Sequence, residues 1–130
     1  MEPQKNLENW QTKAVGTEEA QRLEPKEVRI TAQSLEVVGK EPNQYEKIVF
    51  SCKHPDRDEV LKISDVKYIQ GDKVVSRATW YKLDTKGAIQ KGSSLAALMT
   101  AYGAETLGDL VGKSVKTAAD EKGYLCLKAI

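Results

Sequence analysis

Three short runs interleave flat rings with cations: Lys67 and Tyr68 in "VKYI", Arg77, Trp80, Tyr81 and Lys82 in "RATWYK", and Lys122, Tyr124 and Lys128 in "KGYLCLK". Unpaired bases stack on such rings for about 1–3 kcal/mol each, and cations of this kind follow the phosphates. Overall charge gives no steering, because 20 Lys+Arg stand against 19 Asp+Glu, so any attraction for a polyanion must be local. It is local here. From Lys62 to Lys91 there are seven basic residues against Asp65, Asp72 and Asp84, whereas residues 1–24 hold five acids and three bases. The candidate nucleic-acid-binding set is Lys62, Lys67, Tyr68, Lys73, Arg77, Trp80, Tyr81 and Lys82.

Other constellations lead to less. In "GDLVGKSVKT" the Gly112-Lys113-Ser114 triplet imitates a phosphate loop, but only three residues separate Gly108 from Gly112 where four are needed. The context is also reversed, with a helical turn before the triplet and a strand pattern after it, so no helix N-terminus faces an anion. In "CKHPD", Cys52 and His54 on alternate strand positions form at most half a metal site, and His54 is the only histidine. Its His-Pro-Asp tripeptide matches a J-domain signature, but that signature sits between helices and these flanks are β-patterned. No nucleophile is placed beside an oriented base. The sequence therefore predicts no catalytic residues, metal or cofactor. Cys52 and Cys126, both in apolar strand-like runs, read as buried thiols.

The elements that must carry these residues are mostly strands. After Pro25, Val28, Ile30 and Ala32 alternate with polar neighbours, and Leu35 and Val37 continue one residue out of step, which predicts a long first strand with a bulge near Gln33–Ser34. Ile48, Phe50 and Cys52 mark one face of a second strand, reached through "GKEPNQ". "EVLKISDVKYI" changes phase at Ser64–Asp65, and "QGDK" closes a hairpin with Gly71 at its tip. In "KVVSRATWYKL" the core face is expected to be Val74, Ala78 and Trp80, with Lys73, Arg77, Thr79 and Tyr81 opposite. "DTKG" is a further turn. Ser93 or Ser94 caps a helix whose stripe is Leu95, Leu98, Met99 and Tyr102 and which Gly103 ends. A second helical turn should face Leu107, Leu110 and Val111 inward, before two strands, "KSVKTAA" and "GYLCLKAI", joined by "DEKG".

A bulged long first strand, the aromatic "ATWYKLD" segment before the Ser93–Tyr102 helix, and the closing strands "LVGKSVKT" and "GYLCLK" resemble the OB-fold barrel of single-stranded nucleic-acid-binding proteins over about Lys26 to Ile130. The resemblance implies a mainly β barrel with one short helix before the last two strands, and a binding groove across its second and third strands. The expected organisation is a flexible arm over residues 1–24 and a barrel domain over 25–130. The expected activity is binding of single-stranded DNA, in preference to RNA, with little sequence preference. The rival expectation is a protein-interaction or assembly module, with a protein partner met through the Trp10-bearing arm. No apolar run reaches the roughly 20 residues of a membrane helix. The N-terminus lacks a basic start followed by an apolar stretch, which predicts a cytoplasmic product.

Overall fold

A computed structural model describes Ala14 and residues 23–130; the expected arm therefore lies almost wholly outside the described residues. Eight strands follow in order: β1 (Val28–Val38), β2 (Tyr45–Lys53), β3 (Leu61–Ile63), β4 (Asp65–Gln70), β5 (Lys73–Ala78), β6 (Ser114–Val115), β7 (Thr117–Ala119) and β8 (Leu125–Ala129). Helix α1 (Ser94–Ala101) and a 3-10 turn at Leu107–Leu110 come between β5 and β6.

The strands form two sheets, ordered β3-β2-β1-β6 and β5-β4-β8-β7. Only Ser64 separates β3 from β4, and only Lys116 separates β6 from β7. Each of these two runs belongs to both sheets. The pairing therefore closes on itself: β1 with β2, β2 with β3, β4 with β8 in parallel, β8 with β7, and β6 back to β1. This is a small OB-like barrel in which one helix precedes the closing strands, as the strand order implied. No helix among the described residues is long and apolar enough to cross a membrane.

Alternation explains the core. Ile48, Phe50 and Cys52 on β2 meet Val28, Ile30, Ile63 and Val66, all buried. The register of β1 slips between Ile30 and Ala32, earlier than the Gln33–Ser34 bulge expected from the sequence. Leu35 and Val37 then pair with Ile48 and Glu46, on the core-side face, yet they are 50% and 54% exposed. They overhang the end of the barrel, where nothing among the described residues covers them.

The two faces of the run from Lys73 to Leu83 are the reverse of the expectation. Thr79 is fully buried, and Val75 and Tyr81 pack against the core, whereas Val74 is exposed. Beyond β5 the chain leaves β4 for the start of β2, with Ile48 N–H donating to the Thr79 carbonyl (2.9 Å) and Tyr81 N–H to the Glu46 carbonyl (2.8 Å). Crossing from one neighbour to another turns Thr79 into the barrel, and its hydroxyl is satisfied there by the carbonyls of Ile48 and Ser64.

Helix α1 starts where Ser93 accepts the Ala96 N–H (3.2 Å), and Gly103, at φ +65°, turns the chain away after Tyr102. Leu95 and Leu98 are fully buried, with Met99 and Tyr102 packed beside them. In the 3-10 turn Leu110 is buried and Leu107 half-buried, but Val111 points out, contrary to expectation, because the chain is already extended there. Gly112, at φ +93°, donates its N–H to the Ile30 carbonyl (2.7 Å), and Ile30 N–H reaches the Lys113 carbonyl (3.0 Å). The Gly-Lys-Ser triplet is a barrel seam, and its first amide is used in pairing.

Candidate nucleic-acid interface

The eight candidate residues do not form one surface. Tyr68 is 4% exposed and belongs to the core, so neither face of its ring is open to a base. Tyr81 is half-buried against the same core, which removes it from the outward pair expected with Arg77. Lys73 sits at the tip of the β4–β5 hairpin. The Lys67 ammonium donates to the Ala119 carbonyl (3.3 Å). Lys62 lines a separate hollow with Leu23, Arg57, Asp65 and Tyr124.

Arg77, Trp80 and Lys82 do come together. They line a hollow of about 270 Å³ with Gln90, Lys91 and the first residues of α1, and the Tyr68 side of β4 forms another part of its wall. Residues 79–81 pair with the start of β2, and Trp80 forms a bridge with Lys47. The two therefore project from the same face. Tyr45, two positions before Lys47, meets the Trp80 ring edge-on, with centroids 6.0 Å apart and planes at 62°. Tyr45 is 58% exposed, so an open ring stands beside the indole.

The electrostatics of the hollow are one-sided. Arg77, Lys82 and Lys91 line it, and no aspartate or glutamate among the described residues does. The ion pairs among the described residues, Lys26–Asp56 (2.7 Å) and Arg57–Glu59 (3.3 Å), involve none of these cations. The N-terminus of α1 opens beside them and adds the positive end of its dipole.

Sequence reasoning left out Tyr45 and Lys91. The signal for Tyr45 was present, since Tyr45 and Lys47 alternate on one strand in the same aromatic-and-cation pattern. Lys91 follows a turn, and nothing in its neighbourhood announced that the chain would fold back over β5.

His54 and the two cysteines are enclosed by the fold. His54 is fully buried; its Nε2 bonds the Glu24 carbonyl (2.8 Å) and its Nδ1 accepts the Asp56 N–H (3.0 Å). Both ring nitrogens are thus engaged in holding the segment that enters β1 against the loop after β2. Burial pushes the Cys52 thiol up to about 12 and also raises that of Cys126. Among the described residues no three His, Cys, Asp or Glu side chains converge as metal ligands. Comparison of the chain with family models, with curated proteins and with solved structures gives no match.

Proposed function

We propose that the chain is a non-catalytic OB-like barrel that binds single-stranded nucleic acid in the cytosol with little sequence preference. The observation that carries this reading is the convergence of Arg77, Lys82 and Lys91 on Trp80 in a hollow that no described carboxylate lines. An indole face stacks on any base, and cations outside any described ion pair gain by displacing the counterions of a phosphate chain. A mode built from stacking and phosphate contacts distinguishes bases poorly, hence the low sequence preference. The site sits toward the N-terminus of α1, off the middle of the second and third barrel strands where the OB resemblance would centre it.

The test is a titration of labelled single-stranded DNA, single-stranded RNA and duplex DNA at low and moderate salt. The expected result is saturable binding that favours the single strands and weakens with salt. Absence of binding at low salt, or equal affinity for duplex, refutes the reading.

A further inference from the structure

A second groove lies on the other side of Lys91. It encloses about 620 Å³ between α1 and the strands β4 and β8, and its apolar lining is Ile69, Ala96, Ala97, Ala101, Ala129 and Ile130. Lys91, Lys116 and Lys128 stand along it, and no aspartate or glutamate among the described residues lines it. None of the three lysines is in an ion pair among the described residues. Glu27, whose charge helps to raise the Tyr102 hydroxyl after burial, lies outside the lining.

This groove differs chemically from the Trp80 hollow. Its two rings offer little stacking surface: Tyr68 is buried, and Tyr102 is half-buried against the core, its hydroxyl accepting the Lys116 N–H (3.0 Å) and donating to the Lys128 carbonyl (2.6 Å). Small and aliphatic side chains make the floor instead. A floor of that kind takes up aliphatic groups, and lysines spaced along it complement carboxylates. Bases would find cations here but little to stack on.

We propose that the groove docks an acidic segment of a partner protein in which Asp or Glu alternates with Leu or Ile. Exposed ion pairs contribute little singly, so affinity rests on the lysines and the aliphatic floor acting together. Lys91 lines both hollows, so a bound acidic segment and a bound phosphate chain would share that cation.

The experiment is an anisotropy titration of the full chain with a labelled synthetic peptide alternating Glu and Leu. Two controls replace the Glu residues by Lys or the Leu residues by Ser. The acidic-aliphatic peptide is expected to saturate, with both controls weaker. Lys116→Glu, an exposed position outside the Trp80 hollow, should weaken it about fivefold or more. Ala101→Glu, exposed in the last turn of α1, should act in the same direction, and both variants should keep the wild-type melting temperature within a few degrees. Oligonucleotide affinity should stay within about twofold in Lys116→Glu. A peptide that binds no better than its controls, or that ignores both substitutions, overturns the proposal. So does a Lys116→Glu variant that loses oligonucleotide as strongly as peptide, which would make the groove a continuation of the nucleic-acid path. Failure of every oligonucleotide to bind while the peptide binds counts against the proposed function alone.

Discussion

The Ser64 carbonyl accepts two hydrogen bonds from Thr79, one from the backbone N–H at 2.9 Å and one from the hydroxyl at 3.0 Å. The hydroxyl's single proton is shared between this carbonyl and that of Ile48. One buried side chain thus ties the corner between β3 and β4 to β2, and it does so one residue before Trp80. Thr79→Val keeps the shape and removes the donor, so buried carbonyls lose a partner. A loss of about 1–3 kcal/mol in urea unfolding is expected, with a smaller loss in Thr79→Ser, which keeps the hydroxyl. Equal stability of Thr79→Val and the wild type would show that the hydroxyl does not hold the corner.

Trp80 is the ring that the proposed function needs. Trp80→Ala should weaken single-stranded oligonucleotide binding by about 1–3 kcal/mol, the range for one stacked base. Tyr68→Phe should leave that affinity unchanged, because the Tyr68 ring is already enclosed. The reverse ranking in a fluorescence titration would place the site elsewhere.

The cations should be separable by salt. Replacing Arg77, Lys82 or Lys91 by Gln is expected to flatten the dependence of log affinity on log salt by about 0.7 for each phosphate no longer neutralised. Lys62→Gln and Lys73→Gln should leave the slope alone, since both lie outside the Trp80 hollow. A slope insensitive to all three hollow residues would show that phosphates do not pass there.

The barrel was legible in the sequence because its signals are local. Ile48, Phe50 and Cys52 alternate without interruption, the phase break at Ser64 is visible as a polar pair inside an apolar run, and Gly71 and Gly103 stand where the chain adopts positive φ. What failed to show depends on partners far along the chain. Thr79 looked like a surface residue because its two acceptors, in Ile48 and Ser64, come from other parts of the barrel. Val74 looked like core, although at a hairpin tip there is nothing to bury it against. The slip in β1 sits beside Thr31 and could not be told from one at Gln33–Ser34, because both put Leu35 and Val37 on the core-side face. Of the candidate site, the cation-and-ring composition was readable. Its assembly was not: Lys91 joins Arg77 and Trp80 only after the chain folds back over β5.

Burial of Cys52 gives a pH dependence with a definite sign. The thiol ionises near 12 in the folded barrel, against an ordinary value of 9.0. Above about pH 9 the unfolded chain releases a proton that the folded chain retains, so stability falls as pH rises from about 9 toward about 12. Thermal melts of the wild type should therefore decline more steeply with pH in that window than those of Cys52→Ala, after allowing for the cavity the substitution leaves. At neutral pH the native thiol should react slowly with thiol reagents and become reactive on unfolding. Parallel pH profiles for the two proteins would count against the burial account.

The barrel is fastened along its shortest ladder, where Val28 meets Val115 and Arg29 meets Ser114. Those partners lie at opposite ends of the domain, so no earlier segment can make the join for them. During synthesis, β1, β2 and the hairpin β4–β5 can find one another from neighbouring stretches of chain, but β1 lacks its second neighbour until β6 has been made, and the cylinder closes only with β8, the strand that joins β4 to β7. Until then the first strand presents a bare edge, and the interval before the last strands emerge is when a nascent chain of this design is most exposed to pairing with the wrong neighbour.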